Sequence, residues 1–145
     1  MYDDILVPTD GSSGTPAVLD QALAIAQDND ARVHGLYVVD RRLYLAASKD
    51  TQDEVAQSLE EEGEHALEDL RVRVEDEGLD CVTRLADGLP HRHIQEYVDE
   101  AGIDLVVMGT HGHTGPERIT NLGSTTERVL ENASVPVLVV NMSED

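Results

Sequence analysis

Short apolar segments that alternate with amphipathic helical segments restrict the fold of this 145-residue sequence more than any other feature. Residues 103–108 and 135–140 are mostly apolar at consecutive positions, so strands there would be buried on both faces. Shorter apolar runs predict three further strands at residues 4–8, 31–40 and 80–86. Strands of this kind, separated by helices, indicate an α/β protein whose parallel sheet is covered by helices on both sides.

The helices between these strands are predicted from apolar residues spaced three and four positions apart. They cover residues 15–30 and 50–77, a segment after Pro90 that ends at Gly102, and a segment that begins at Ser124. Gly102 is a predicted C-cap, because glycine adopts the left-handed backbone conformation at this position without strain. Residues 41–50 carry no clear period and are the predicted mobile loop.

The charge balance excludes several classes of partner. Asp and Glu number 30 and Lys and Arg number 10, so the net charge is −20. This argues against nucleic-acid binding through a basic surface and against attraction to an anionic membrane. No apolar run approaches the ~20 residues of a membrane-spanning helix, and the N-terminus, Met1 to Asp4, shows no signal peptide. Cys81 is the one cysteine and cannot form a disulfide within the chain, so we expect a cytoplasmic protein. The length predicts a single domain over residues 1–145.

The basic residues are almost all arginine. Lys49 is the one lysine, and the remaining basic side chains are arginines. Together with the acidic excess and a core of small aliphatic residues, this composition predicts adaptation to a salty cytoplasm. An ordinary acidic protein is the alternative.

Three segments with polar or glycine-rich chemistry follow predicted strands. They are residues 8–12, 38–40 and 109–126. In open α/β sheets, ligands bind beyond the carboxyl ends of the strands, where the strand order reverses. We therefore expect these segments to form one site.

The last of these segments has the composition of a phosphate-binding loop. Gly109 and Gly112 allow backbone N–H groups to approach a ligand closely. Gly123, Ser124 and Thr125 stand at a predicted helix N-terminus, where unpaired N–H groups and the helix dipole favour an anion. The alternative is a strand-to-helix connection in which the glycines only make turns.

Other reactive residue types form no convincing site. The pairs His91/His93 and His111/His113 resemble metal ligands. His91 and His93 open a predicted helix, on which positions two apart point in nearly opposite directions, whereas His111 and His113 lie in the predicted glycine-containing loop, where a dedicated metal site is not expected. Cys81 is predicted to be a small buried hydrophobic residue. His34 and His65 are predicted to have no partners.

Glycine at 109 and 112, followed after a gap by Gly123-Ser124, resembles the ATP-binding signature of the universal stress protein family. The opening run Ile5 to Ser12, Gly88-x-Pro90 and the ending Val135 to Val140 resemble other parts of the family pattern, in the same order. The resemblance implies a Rossmann-like three-layer α/β/α fold with five parallel strands in the order 3-2-1-4-5. It also implies an ATP-type nucleotide (ATP, ADP or AMP) and a role as a regulator or sensor of stress.

The resemblance also implies which residues bind the nucleotide. Asp10 and the backbone of Val38 would face the adenine, Gly109 would lie near the ribose, and the later glycines and hydroxyls would surround the phosphates. The full implied set is Pro8, Thr9, Asp10, Val38, Met108, Gly109, His111, Gly112, His113, Gly123, Ser124 and Thr125.

The phosphate loop departs from the family pattern in two respects. Ten residues separate Gly112 from Gly123, one more than is usual, and His113 stands where relatives often carry Arg or Lys. Weaker binding, or binding that depends on Mg²⁺ or Mn²⁺ carried by the phosphates, is therefore expected. A slow ATPase or phosphoryl-transfer enzyme, and a dimeric interaction module without nucleotide, remain alternatives.

The last strand is the predicted homodimer interface. In the implied strand order, Val135 to Asn141 would form an open sheet edge that is apolar on both faces. Antiparallel pairing with the same strand of a second copy would cover it. Shielding by a helix or by the C-terminal tail is the alternative.

Overall fold

A computed structural model describes residues 1–10, 15–110 and 122–141. The strands are β1 (Asp4–Thr9), β2 (Arg32–Asp40), β3 (Cys81–Gly88), β4 (Leu105–Gly109) and β5 (Val137–Val140). The helices are α1 (Thr15–Asn29), α2 (Arg41–Leu45), α3 (Gln52–Asp76), α4 (Pro90–Ala101) and α5 (Ser124–Asn132).

The five strands form one sheet in the order β3-β2-β1-β4-β5, and every neighbouring pair is parallel. Strand β1 lies at the centre, with Ile5 paired to Val33 of β2 on one side and to Leu105 of β4 on the other. The predicted fold class and the implied strand order are therefore confirmed.

Helices cover both faces of the sheet. Ile5 and Val7 point to the face covered by α1 and α3, where they join a buried cluster with residues such as Leu19 and Leu70. Leu6 points to the opposite face, where it packs with side chains of α4 and α5, Val129 among them. The alternation along β1 follows from the two-residue period of a strand and explains why the sequence there is continuously apolar.

The structure differs from the sequence expectation in residues 41–50. Their first half forms the short helix α2, whose N-cap is Asp40. The Asp40 carboxylate accepts from the backbone N–H of Arg42 at 3.0 Å and from its guanidinium at 2.9 and 2.6 Å. A five-residue helix is too short to show a periodic apolar pattern. The aspartate at its N-cap was the sequence feature that could have indicated the start of a helix. At the end of α4, Gly102 adopts φ 66°, as predicted for a C-cap.

The prediction that His34 has no partner is wrong. His34 is buried on β2, and its Nε2 lies 2.8 Å from a carboxylate oxygen of Asp4. Its Nδ1 lies 2.7 Å from the hydroxyl of Tyr97 on α4. Asp4 and Tyr97 lie 30 and 63 residues from His34 in the sequence. A local sequence pattern therefore does not indicate these contacts.

Strand β5 is the edge strand next to β4, and all four of its residues are half-buried. Leu138 and Val140 pack against the cluster beneath α1 and α3, whereas Val137 packs on the opposite face. The strand is thus apolar on both faces, as predicted. Within the described ranges, no helix is both long and apolar enough to cross a membrane.

Candidate functional site

The crevice at the carboxyl ends of β1 and β4 is the place where the chain leaves the sheet toward opposite faces. Strand β1 leads to α1, which packs on one face, and β4 leads to α5, which packs on the other. Because the two strands are neighbours, the strand order reverses between them, and this is where open α/β sheets bind their ligands. The sequence prediction of a site at this edge rests on this arrangement.

The residues at the ends of β1 and β2 form one wall of the crevice. Thr9 is buried, and its hydroxyl lies 3.1 Å from that of Thr15 in the first turn of α1. Thr9 and Tyr37 are the last pair of the β1–β2 register, and Asp10 and Val38 are the residues that follow them. Both are half-buried, as is Pro8. The structure thus brings together the residues implied to face an adenine.

The start of α5 is fastened to the end of β4 by two hydrogen bonds. The Thr126 hydroxyl donates to the carbonyl oxygen of Gly109 at 2.9 Å. The backbone N–H of Gly123 donates to the carbonyl oxygen of Thr110 at 2.8 Å. Thr110 and Thr126 are both buried. Residues implied to bind ribose and phosphate therefore lie next to each other, although 14 positions separate Gly109 from Gly123.

The N-terminus of α5 has the backbone geometry of an anion site. Its N-cap, Gly123, is extended (φ −65°, ψ 156°) and has no side chain with which to cap the helix. Ser124 is exposed and Thr125 is half-buried. The first N–H groups of a helix have no partner within the helix, and the positive end of the dipole favours a negative charge.

One predicted site residue, Met108, has a different placement, and three others cannot be placed. The side chain of Met108 is buried in the core with Leu6 and Leu36, so only its backbone faces the carboxyl edge. His111, Gly112 and His113 lie outside the described residues.

Sequence reasoning missed the residues that hold the crevice together and its basic neighbours. Thr15, Thr110 and Thr126 position the ends of β1, β4 and α5 through the hydrogen bonds given above. Their only signal in the sequence is that they are threonines next to predicted strand or helix ends. His91, at the start of α4, is partly exposed, and burial together with the positive charges of Arg128 and Arg92 lowers its pKa.

In the part of the chain that the structure describes, the remaining reactive side chains form no metal site. Across residues 1–10, 15–110 and 122–141, no group of three or more His, Cys, Asp or Glu side chains is placed to hold a metal ion. Cys81 opens β3 at the amino edge of the sheet, away from the crevice. Burial raises the pKa of its thiol to about 11, so the nucleophilic thiolate is scarce at neutral pH.

Comparison with known proteins gives a consistent result. The sequence pattern of the Universal stress protein family matches residues 1–141. Universal stress protein MJ0531 of Methanocaldococcus jannaschii is 40% identical over 141 residues, which is 97% of this chain and 82% of that protein.

Solved structures show the same fold. MJ0577 of the same organism superposes with a TM-score of 0.89 at 32% identity, and the match covers 100% of this chain and 99% of that chain. An Arabidopsis thaliana family protein with AMP bound (TM-score 0.73, 20% identity, 99% and 94% covered) shares the fold. A universal stress protein in complex with cAMP (TM-score 0.69, 24% identity, 98% of both chains covered) also shares it.

Proposed function

The chain belongs to the universal stress protein family, and from that premise we propose that it binds an adenine nucleotide in the crevice between β1 and β4. The nucleotide is ATP, with ADP or AMP as its shorter forms. The protein then acts as a stress-response regulator or sensor whose state depends on the nucleotide it holds.

The observation that carries this proposal is the N-terminus of α5, which begins after the extended residue Gly123 and is held against the end of β4. The backbone donors of a helix N-terminus suit phosphates. Asp10 and Val38 follow the last pair of the β1–β2 register, Thr9 and Tyr37, where polar and apolar contacts suit a base. Solved relatives that carry AMP and cAMP support an adenine nucleotide as the ligand class.

A divalent cation belongs to the same proposal. Mg²⁺ and Mn²⁺ are often held mainly by substrate phosphates and water, with few protein ligands. A cation of this kind needs no cluster of acidic or histidine ligands, and none was found within the described ranges. It would enter with the triphosphate and neutralise part of its charge.

The biological form of the protein is proposed to be a cytoplasmic homodimer. The half-buried edge strand β5, apolar on both faces, supports pairing with a second copy through Val135 to Asn141. The single cysteine, which has no second cysteine in the chain to pair with, supports a reducing compartment.

Mass spectrometry of the ligand released from natively purified protein identifies the nucleotide, and calorimetry measures its affinity. We expect an adenine nucleotide in the released fraction. Asp10→Ala should weaken binding about tenfold, the effect of losing ~1.4 kcal/mol of contact with the base. Asp99→Ala, which removes an exposed carboxylate on α4, is the matched control and should bind normally. Equal affinities in both variants would contradict the placement of the base.

A further inference from the structure

Strand β3 forms the second edge of the sheet, opposite to β5. It pairs with β2 on one side, and no strand of residues 1–10, 15–110 or 122–141 lies on its other side. Its register with β2 runs through eight consecutive pairs without a bulge. Strand β5 has only four residues and follows a proline, Pro136. Strand β3 therefore presents the longer regular edge of the sheet, about 26 Å of extended chain.

Every second residue of β3 directs its backbone hydrogen-bonding groups away from the sheet. The backbone N–H of Val33 donates to the carbonyl oxygen of Asp80 at 3.0 Å. In the parallel register, this bond assigns the backbone groups of Val82 and of the following even-numbered residues to β2. The backbone groups that face the open edge are those of Cys81, Thr83, Leu85 and Asp87. A strand laid against β3 would therefore meet a regular row of donors and acceptors.

The features that commonly protect a sheet edge are few on β3. Natural edges carry prolines, bulges or charged side chains that block the addition of another strand. No proline interrupts residues 81–88, and Arg84 is the one basic residue among them. Its guanidinium lies 4.8 Å from the centre of the Tyr97 ring and donates to the Glu100 carboxylate at 3.1 Å. Because both partners belong to α4, Arg84 lies over one face of the sheet and does not block the edge.

Exposed apolar side chains gather along this edge. Helix α2 adjoins the carboxyl end of β3, where the Tyr44 hydroxyl donates to the Asp87 carboxylate at 2.9 Å. Seven large apolar residues are exposed in the described ranges, and four of them belong to β3 or α2, namely Val82, Leu85, Leu43 and Leu45. Grouped exposed apolar residues are typical of surfaces that bind another protein.

Both faces of β3 offer apolar contact beside the open edge. Leu85 points to the face covered by α3, where its side chain lies close to Gly63. Val82 is paired with His34, whose ring contacts Tyr97 of α4, so Val82 points to the opposite face. A strand added to β3 would therefore bury apolar surface on each side of the sheet.

The charged groups around the edge are mostly acidic. Asp80 precedes β3 and Asp87 lies on it, and both are exposed. Glu100 is paired with Arg84, so the one positive charge of the strand is already compensated. A partner segment with basic side chains is matched to this surface. A second copy of the chain is a poorer match, since it would bring a further net charge of −20.

We propose that the open edge of β3 binds an extended segment of a partner protein with both apolar and basic side chains, which adds to the sheet as a further strand. Main-chain hydrogen bonds to residues such as Thr83 and Leu85 would supply affinity, and the apolar and acidic neighbours would select the side chains. The interaction goes beyond nucleotide binding and does not depend on it, because β3 lies two strands away from the crevice at β1 and β4.

Fluorescence anisotropy with a labelled peptide, Val-Val-Lys-Lys-Val-Val-Lys-Lys, tests this edge on the full-length protein. When extended, the peptide carries valine and lysine on each face. Thr83→Pro removes a donor that faces the open edge and leaves the bonds to β2 in place. It should weaken binding at least about tenfold. Val139→Pro is the matched control on β5, where the bonds to β4 use Pro136 and Val140, and it should bind normally.

A second pair of variants changes charge and keeps the backbone. Val82→Lys places a positive charge beside the edge and should weaken binding of the basic peptide at least about fivefold. Val72→Lys makes the same change on the exposed surface of α3 and should bind normally. Amide hydrogen exchange reports the ladder directly, because the peptide should slow exchange at Thr83 and Leu85, whose N–H groups face the edge.

Several results would overturn this assignment. A wild-type protein that does not bind the peptide, equal affinities in Thr83→Pro and the wild type, or unchanged exchange at Thr83 would each contradict it. Loss of binding in Val139→Pro instead would place the segment on β5. A dimer that Thr83→Pro converts to a monomer would place a second copy on β3. Circular dichroism checks folding, and if Thr83→Pro does not fold, the comparison of Val82→Lys with Val72→Lys decides.

Discussion

At the scale of single residues, the contacts of His34 show how a buried polar group is satisfied. An ionised carboxylate only accepts hydrogen bonds, so Nε2 of His34 carries the proton that bonds to Asp4. In the neutral ring, Nδ1 then accepts from the hydroxyl of Tyr97. Burial raises the pKa of that hydroxyl, which keeps it protonated, and the guanidinium of Arg84 lies 4.8 Å from the centre of the Tyr97 ring.

Tyr97→Phe should therefore destabilise the protein, because Nδ1 of His34 would lose its buried donor. We expect a loss of about 1–2 kcal/mol in the free energy of unfolding, measured by urea denaturation. Tyr44→Phe is the control, since it removes a hydroxyl whose bond to Asp87 is exposed, and its midpoint should not move measurably. Equal effects of the two substitutions would mean that the buried hydrogen bond contributes nothing specific.

Residues of this kind mark the limit of prediction from the sequence. The glycines and hydroxyls of the candidate site were recognisable because they follow predicted strands in short, unusual runs. The contacts of His34, and the hydrogen bond from Thr126 to Gly109, join residues that are far apart in the chain and chemically ordinary. They depend on the register of the sheet and on helix packing, which a local pattern does not contain.

At the scale of elements, the close approach of α3 to the sheet depends on Gly63. A Cβ atom at this position would lie 2.5 Å from a ring carbon of Tyr37 and 2.7 Å from a methyl group of Leu85. The Tyr37 ring is buried and its hydroxyl is bonded to Glu62 at 2.7 Å, so the ring has little freedom to move.

Gly63→Ala should thus be destabilising, although alanine is the better helix former by ~1 kcal/mol. Overpacking of this kind costs about 1–3 kcal/mol, which exceeds the gain in helix propensity. Ser58→Ala, at an exposed position of the same helix, should be neutral or slightly stabilising. Thermal unfolding measures both, and a more stable Gly63→Ala protein would show that α3 can move away from the sheet.

Most of the helices and strands were predictable, because the spacing of apolar residues and the residues at helix caps indicate them within a short stretch of sequence. The five strands and the four longer helices lie at the predicted places, with ends that differ by a few residues. Strand β5 begins at Val137 rather than at 135, since Pro136 has no N–H to donate and contributes only its carbonyl, which accepts from Val106. Helix α2 was missed because a helix of about one and a half turns is too short for apolar residues to repeat at helical spacing.

At the scale of the whole molecule, the net charge of −20 predicts a dependence on salt. Like charges repel one another in the compact state, and this repulsion is reduced when the Debye length falls to ~3 Å in molar salt. The midpoint of thermal unfolding should therefore rise steeply between dilute buffer and molar KCl. A midpoint that stays flat across this range would mean that the acidic composition is not an adaptation to salt.

The proposed dimer makes a separate prediction at this scale. Val139→Lys places a charge on the edge strand β5 and should convert the dimer to a monomer, as measured by light scattering at high salt. Val72→Lys makes the same chemical change on the exposed surface of α3 and should leave the dimer intact. A wild-type monomer at micromolar concentration, or a Val139→Lys protein that remains dimeric, would refute pairing through β5.

Titration of the wild type and of Gly123→Val with Mg-ATP in molar KCl tests the nucleotide site most directly. The backbone of Gly123 has φ −65° and ψ 156°, a conformation that valine adopts readily, so the variant should fold normally. Its side chain would occupy the space of a phosphate at the α5 N-terminus. We predict saturable binding by the wild-type protein and a loss of at least about tenfold in affinity for the variant. Equal affinity of the two proteins for Mg-ATP would contradict the site.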